Sequence, residues 1–467
     1  MTALDQIVAE LNKYMYSYVM IAMLIILGLF FTVRTGFVQF RMLPEMFRVI
    51  FEKSTISADG KRGISSFQAF TISAASRIGT GNLAGVATAI AAGGPGAIFW
   101  MWLIALIGAG SSFVESTLAQ VYKVKDGDVF RGGPAYYMEK GLKKRWLGII
   151  FAVSITVSFG LVFNAVQSNT ISIAINEGFG VSRYVTGAVL TILTGVIVFG
   201  GLKRIVNVTQ VLVPVMAILY VLLAVVILAM NITEIPAMFK LIINSAFGLQ
   251  EAAGGALGAA VMNGIKRGLF SNEAGMGSAP NAAATAAVSH PVKQGLIQTL
   301  GVFIDTIVIC SATAFIILLS GQYLRADAES INLTQSALSV HIGDWAVIFL
   351  AVAIFMFAFS SVVGNYYYGE TNIEFIKESK TTLLIYRLAV MAMVFFGSIA
   401  KISLVWNLAD LFMAIMAFIN LIAITMLSKI AVKVLGDYQK QRKQGKDPVF
   451  YSDSVENIGE TDTWNRQ

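Results

Sequence analysis

The sequence contains few charged residues for its length. Only 13% of the 467 residues are Asp, Glu, Lys or Arg, 56% are hydrophobic, and the mean hydropathy is +0.72. Soluble globular proteins carry roughly a quarter charged residues. The composition therefore excludes an ordinary soluble domain and indicates a chain whose solvent is mainly the lipid bilayer.

Cysteine and histidine are nearly absent. The single cysteine, Cys310, lies inside an apolar run, so no disulfide forms within this sequence. His290 and His341 lack metal-ligand spacing, so no transition-metal site is predicted. A glycine-rich nucleotide loop is also missing, which disfavours a primary pump. Without a nucleophile–base constellation, we expect no enzyme, no catalytic residue and no cofactor other than a coupling ion.

Eleven apolar segments follow one another along the chain, and about 20 apolar residues suffice to cross a bilayer as a helix. They lie near residues 15–33, 66–90, 97–121, 147–175, 184–202, 206–230, 249–288, 293–320, 344–369, 382–400 and 402–432. The sequence thus predicts an all-α polytopic membrane protein with eleven transmembrane helices in one domain, 1–435. The polar segment 436–467 is expected to be a flexible cytoplasmic tail.

Basic residues concentrate in alternate loops. Residues 34–62 contain six Lys or Arg and residues 123–145 contain seven, whereas the loop near Ala91–Gly96 has none. Under the positive-inside rule, both basic loops and the basic C-terminal segment are cytoplasmic, which places the N-terminus outside the cell. The net charge of +7 is thus explained by topology in a multi-pass cell-membrane protein. We expect no nucleic-acid partner, and no obligate protein partner is evident.

Two apolar segments are interrupted in the same way. The second contains the polar, glycine-rich stretch Ser76–Asn82, and the seventh contains Ser271–Gly277. Glycine is costly inside a helix and polar groups are costly at the bilayer centre. If helix 15–33 is an accessory, residues 66–230 and 249–432 form two five-helix repeats, each opening with a broken helix. This arrangement indicates an inverted-repeat transporter with its site between the breaks. Close packing at glycines is the alternative, but it does not explain the matched placement.

The stretch Gly93–Leu103, continuing to Gly108, resembles the signature of the alanine or glycine:cation symporter family. Together with Gly79–Asn82 and Arg267–Gly275, the resemblance covers nearly the whole chain. That family is similar in fold to the sodium-coupled leucine and neurotransmitter transporters, with ten core helices in two inverted repeats. The resemblance implies sodium- or proton-coupled uptake of small neutral amino acids such as alanine and glycine. The expected partners are this substrate, Na+ and the bilayer.

The first break offers a seat for the carboxylate of an amino acid. Unwinding frees the N–H groups of Thr80 and Gly81 at the start of a half-helix, where the helix dipole favours an anion. Gly79 and Gly81 let a ligand approach the backbone. Asn82 either contacts the ligand or caps the half-helix.

The second break offers acceptors for the α-ammonium group, namely the carbonyls of Phe270 and Ser271. Glu273 either adds a negative charge to the site or forms a structural ion pair, and the sequence favours the ion pair. Asp305, inside the eighth span, has the same two interpretations. The basic residues near Glu273 are Lys266, Arg267 and Arg77.

One helical face of the fourth span carries Phe163 and Gln167, which are four residues apart. They are candidates for an apolar wall and an amide in the substrate pocket. Ordinary packing is the alternative for Phe163.

A sodium site is predicted in the ninth span, where the Phe357 carbonyl and the hydroxyls of Ser360 and Ser361 lie within one turn. Small hard cations prefer such oxygen ligands. The resemblance to sodium-coupled relatives implies that the carbonyls of Ala75 and Ile78 complete the shell. The alternative is that adjacent serines only hold helices together.

Two questions stay open from the sequence. A proton-coupled carrier or an exchanger would use Glu273 or Asp305 as a titrating group, and a channel is a less favoured alternative. The substrate is open among alanine, glycine, serine and glutamine, and so are its stereochemistry and the ion stoichiometry.

Overall fold

A computed structural model describes residues 3–54, 63–248, 254–325 and 330–465. Lys61 and Arg62 of the first basic loop, and the predicted start of the second repeat at residue 249, lie outside the described residues. Within the described ranges the protein is mostly helical, with one two-stranded sheet. Eight continuous helical runs in the described ranges, three of which pass through a π-helical turn, are long and apolar enough to cross a membrane. The prediction of a multi-pass helical protein is thus confirmed.

Helices α1 to α12 occupy the N-terminal half. They are α1 (Ala3–Tyr14), α2 (Ile21–Arg34), α3 (Val38–Arg41), α4 (Leu43–Ile50), α5 (Ser66–Arg77), α6 (Val86–Gly93), α7 (Ala97–Val121), α8 (Pro134–Lys140), α9 (Arg145–Ile155), α10 (Asn164–Phe179), α11 (Arg183–Val198) and α12 (Gly201–Met230). Strands β1 (Val124–Asp126) and β2 (Val129–Arg131) form an antiparallel hairpin between α7 and α8.

Helices α13 to α21 occupy the C-terminal half. They are α13 (Ile235–Ala246), α14 (Gly254–Asn272), α15 (Ala279–Ala283), α16 (Pro291–Val302), α17 (Ser311–Ser320), α18 (Ser330–Ile342), α19 (Trp345–Ile376), α20 (Lys380–Ile399) and α21 (Ile402–Lys443). Wider π-helical turns occur at Met15–Met20, Gly81–Gly85, Thr156–Phe163 and Phe303–Cys310, and 3-10 turns occur at Ile232–Glu234, Gln322–Leu324 and Ser452–Ser454.

The predicted apolar segments coincide with these helices to within a few residues at most ends. Besides the eight long helices, the described chain has two shorter apolar ones, Gly81–Gly93 and Arg183–Val198. Helix α5 begins with a capping box, in which Ser65 Oγ accepts the Gln68 N–H at 3.2 Å and Gln68 Oε1 accepts the Ser65 N–H at 3.0 Å. The total of eleven spans and the inverted repeat stay predictions.

The core of the bundle surrounds the two predicted breaks. Helix α10 packs along α19, and α7 packs against both α14 and α16. Helix α5 contacts α12, α15, α16 and α19, so the segment that follows α5 lies deep inside the protein. Long-range packing therefore brings the regions on either side of each break into one buried centre.

The basic loops and the C-terminal segment share one end of the bundle, which we call the basic end. Arg442 pairs with Glu45 at 3.1 Å, and Lys140 pairs with Asp462 at 2.8 Å. These contacts join the loop after α2, the region around α8 and the C-terminal segment. Their common position agrees with a shared cytoplasmic location, while the orientation of the termini stays a prediction.

The C-terminal segment differs from the flexible tail that we expected from residue 436. Helix α21 continues to Lys443, and the chain beyond it folds back onto the basic end. Phe450 and Trp464 are only 2% and 7% exposed. A few buried apolar residues are enough to hold this segment against the bundle. The polar composition of residues 436–467 had instead suggested that the segment is mobile.

Candidate functional site

The first break lies between α5 and the π-helical turn that follows it. Helix α5 ends at Arg77, and Ile78 leaves helical geometry with φ −80° and ψ 87°. Asn82 lies inside the π-helical turn that begins at Gly81, and its Oδ1 accepts the Gly79 N–H at 2.8 Å, so it satisfies a backbone donor within the break. The predicted role of Asn82 as a helix cap is therefore wrong, because its side chain bonds the chain before the helix, and ligand contact stays a prediction.

The fourth predicted span supplies two side chains to this break. Gln167 Oε1 accepts the Thr80 N–H at 3.0 Å, and the ring centroids of Phe163 and Phe270 are 4.7 Å apart. The face predicted from their spacing thus points at the breaks. The Thr80 N–H, which the sequence predicts as a carboxylate donor, is thus satisfied by the Gln167 amide oxygen in this conformation.

Neighbouring atoms leave little room for a side chain at positions 79 and 81. A Cβ added to Gly79 would lie 2.1 Å from Ser361 Oγ, and one added to Gly81 would lie 3.0 Å from Phe270 Cδ1. Neither glycine has a positive φ. Close approach of neighbouring groups, rather than backbone conformation, therefore accounts for both residues.

The second break follows α14, which ends at Asn272. Glu273, Gly275 and Gly277 have φ values of +57°, +83° and +82°, and left-handed residues cannot continue a right-handed helix. The Glu115 carboxylate, on α7, accepts the N–H of Gly275 at 3.1 Å and that of Gly277 at 3.0 Å. It thereby satisfies backbone donors that the break leaves free. No local pattern in the sequence indicates this role, because the partners are 160 or more residues apart.

The structure brings the two breaks into direct contact. Ser76 Oγ donates to Glu273 Oε1 at 2.7 Å, and Ser278 Oγ donates to Glu273 Oε2 at 2.5 Å. Asn82 Nδ2 donates to Ser271 Oγ at 3.1 Å. The Glu273 carboxylate therefore bridges the end of one broken helix to the start of the next half-helix.

The favoured ion pair between Glu273 and a neighbouring basic residue is wrong for the described chain. Lys266 and Arg267 both pair with Asp410 on α21, at 2.8 and 2.7 Å. Arg77 donates to a backbone carbonyl on α16 at 3.1 Å. Lys266 and Arg267 are thus occupied by Asp410, and Arg77 lies near Glu273 without forming an ion pair with it, which helical spacing alone did not reveal.

Asp305 provides another buried carboxylate at the same centre. It accepts hydrogen bonds from Asn82 Nδ2 at 2.6 Å, Ser271 Oγ at 2.8 Å and Thr306 Oγ1 at 2.9 Å. None of the ion pairs formed by the described residues involves it. Asp305 is thus connected to both breaks through neutral donors, and its interpretation as a structural ion pair is wrong for the described chain.

Four of the five predicted sodium ligands meet in one place. Ser361 Oγ lies 2.8 Å from the Ala75 carbonyl oxygen and 3.2 Å from that of Phe357. Ser360 Oγ lies 2.8 Å from the Phe357 oxygen and 3.5 Å from the Ala75 oxygen. Hydroxyl and carbonyl oxygens from α19 and α5 therefore lie close together, and none of the four belongs to a carboxylate. Participation of the Ile78 carbonyl stays a prediction.

An aromatic layer lies against the breaks. Ring centroids of Phe159 and Phe163 are 4.4 Å apart, and those of Phe270 and Trp406 are 4.8 Å apart. The Arg267 guanidinium lies over the Trp406 ring, 4.4 Å from its centroid. Phe159 and Trp406 were not predicted, because an aromatic residue within an apolar run carries no local signal of its partners.

The site is closed in this conformation. Thr80, Ser271 and Ser361 are fully buried, and Gln167 and Phe270 are 2% and 4% exposed. A ligand at the breaks would be enclosed by protein on all sides. Entry and exit therefore require movement of the surrounding helices.

Residues 1–452 match the sodium:alanine symporter family. The chain belongs to this family. The family consists of transporters rather than enzymes, and the membership supports cation-coupled amino-acid symport as the general activity.

Two relatives from Bacillus subtilis match almost end to end. The amino-acid carrier protein AlsT is 60% identical, with 97% of this chain and 95% of the relative covered. The probable sodium/glutamine symporter GlnT is 56% identical, with 99% and 96% covered. Among solved structures, a manganese transporter from Eremococcus coleocola has a TM-score of 0.52 at 14% identity, with 85% of each chain covered. That likeness concerns the fold alone.

Proposed function

We propose that the protein carries a small neutral amino acid, such as alanine or glycine, into the cell together with Na+. The observation that supports this best is the oxygen cluster beside the first break. Its members are the Ser360 and Ser361 hydroxyls and the Ala75 and Phe357 carbonyls. A compact set of neutral oxygens suits a small hard cation.

The amino-acid backbone would bind at the two breaks. The substrate carboxylate accepts the N–H groups of Thr80 and Gly81, in place of the Gln167 amide oxygen. The ammonium group donates to the carbonyls of Phe270 and Ser271. Glu273, which links the breaks, contributes negative charge on the same side. The carboxylate and the ammonium group of the amino acid would thus each face protein groups of opposite charge.

The aromatic layer would limit the size of the substrate side chain. Phe163, Phe270 and Trp406 lie next to the seat proposed for the substrate. Rings packed this closely leave little room beside them for a side chain larger than a methyl group, while one methylene more or less changes binding by only about 1–3 kcal/mol. Glutamine, named for one relative, therefore belongs in any competition panel.

Coupling would follow from the position of the ion. Na+ bound between Ser361 and Ala75 connects α19 to the broken helix that also holds the substrate. Each ligand then stabilises the closed arrangement that the other requires. In this proposal two inverted five-helix repeats, within eleven spans, alternate access to the site, with the N-terminus outside and the C-terminus inside.

Transport into proteoliposomes tests the proposal. Labelled alanine should accumulate under an inward sodium gradient with pH clamped on both sides, and a potassium gradient should not replace it. Saturable counterflow of labelled alanine would exclude a channel. Competition by glycine, serine, glutamine and D-alanine would then define the substrate.

Proton coupling is the second candidate, favoured by the two buried carboxylates Glu273 and Asp305. Both are held by neutral donors, so either is available to carry a proton. Accumulation driven by a pH gradient in the absence of sodium would support this alternative and contradict sodium coupling.

A further inference from the structure

Residues 448–464, which we call the C-terminal strap, follow the end of α21 and cross the basic end of the bundle. Gln441 on α21 turns the chain by bonding both the N–H and the carbonyl of Val449, each at 2.9 Å. The strap then reaches the segment between α15 and α16. The Phe450 N–H donates to the Ser289 carbonyl at 2.9 Å, and Ser289 Oγ donates to the Pro448 carbonyl at 2.8 Å.

Buried anchors hold the far end of the strap against α7. Trp464 Nε1 donates to the Gln120 carbonyl at 2.8 Å, and Tyr122 OH donates to the Ile458 carbonyl at 2.7 Å. The Lys123 ammonium lies 4.8 Å from the centroid of the Trp464 ring. The Trp464 indole and the Ile458 side chain are thus buried against the bundle, and the strap is packed into the protein instead of lying loosely on its surface.

The seat of the strap adjoins the junction of the two broken helices. The Ala287 N–H donates to the Ile64 carbonyl at 2.9 Å, and Ile64 lies just before α5. Gln120 Nε2 and Lys123 Nζ both donate to the Ala286 carbonyl, at 3.1 and 2.8 Å. The same short segment therefore contacts the start of the first broken helix, the end of α7 and, two residues on, the strap.

We propose that the C-terminal strap is an intramolecular clasp that keeps the basic end closed and must leave its seat before that end opens. In this proposal, a substrate buried at the breaks leaves through the basic end when the Ile64–Ala287 junction separates. The strap ties Ser289, two residues beyond the Ala287 side of this junction, to Gln120 on α7 and to α21. While the strap is seated, these three elements stay together and the Ala287 side of the junction is held in place.

Besides the hydrogen bonds described above, the seated state is held by contacts of two further kinds. Apolar burial of Phe450 and Trp464 is insensitive to salt, whereas the Lys140–Asp462 pair is partly exposed, with Asp462 44% accessible, and contributes little. Release therefore requires withdrawal of the two aromatic anchors. Trp464→Ala should weaken the seat and speed the transport step that opens the basic end, and Trp146→Ala, at a 60% exposed tryptophan on α9, is its control.

The clasp rests on the proposed function, and cross-linking tests it directly. Lys140→Cys with Asp462→Cys, joined in purified protein by a short cleavable bifunctional thiol reagent, fixes the strap to α8. Ser452→Cys with Asn465→Cys is the matched control, because this pair, 3.1 Å apart in the native contact, lies within the C-terminal segment and fixes nothing to the bundle. The native Cys310 is buried and should not react.

After reconstitution, sodium-driven alanine uptake by the strap-to-α8 variant should fall by about tenfold or more when cross-linked, and recover on cleavage of the reagent. The control pair should transport equally with and without the reagent. Unchanged uptake in a fully cross-linked Lys140–Asp462 variant would overturn the clasp while leaving transport intact. Absence of uptake in every form, including the unmodified protein, would instead contradict the proposed function.

Discussion

Removing one hydroxyl from the oxygen cluster on α19 should weaken sodium binding without unfolding the protein. Ser361 Oγ reaches across to the Ala75 carbonyl at 2.8 Å, whereas Ser360 Oγ makes its short contact, also 2.8 Å, within its own helix to Phe357. Ser361→Ala should therefore have the larger effect. Loss of one neutral ligand costs about 1–3 kcal/mol, or about 5- to 150-fold in sodium affinity.

The assay is labelled alanine uptake measured against sodium concentration for both variants. By the reciprocity of linked binding, the apparent alanine affinity should drop at low sodium and recover at high sodium. Ser428→Ala is a suitable control, since that buried hydroxyl also bonds a carbonyl of its own helix, at 2.8 Å, on α21. Sodium curves that superimpose on the wild type for both Ser360→Ala and Ser361→Ala would refute a sodium site here.

Two further predictions concern the first break and the topology. Gly81→Val should insert into the membrane normally but lose alanine uptake, because its added carbons would crowd the Phe270 ring, 3.0 Å from the Cβ position; unchanged alanine affinity would move the carboxylate elsewhere. Single cysteines replacing Lys53 or Lys446, both exposed at the basic end, should resist a membrane-impermeant thiol reagent in intact cells in a Cys310→Ala background. Labelling of either from outside would invert the predicted orientation.

The breaks were predictable because their cause is local. Glycines and polar residues at 76–82 and 271–277 interrupt apolar runs, and the structure ends α5 and α14 inside these stretches. The adjacent hydroxyls of Ser360 and Ser361 were likewise visible as a helical pair. In each case the feature depends on a few neighbouring residues, so the sequence alone suffices to predict it.

The residues that complete the site could not be predicted from the sequence. Glu115 bonds Gly275 from another helix, and Trp406 contacts Phe270 from α21, across more than a hundred residues of chain. The C-terminal strap was misjudged for the same reason, since the seat for Trp464 is made by α7. Long-range packing determines these contacts, and no local sequence pattern predicts them.

The most direct measurement of sodium coupling follows the ion rather than the amino acid. Proteoliposomes at equal pH and with no initial sodium gradient are given external alanine, and the entry of radioactive sodium is recorded. Alanine should stimulate sodium entry, and Ser361→Ala should shift this stimulation to higher sodium concentration. Saturable alanine entry with no accompanying movement of sodium would contradict sodium coupling.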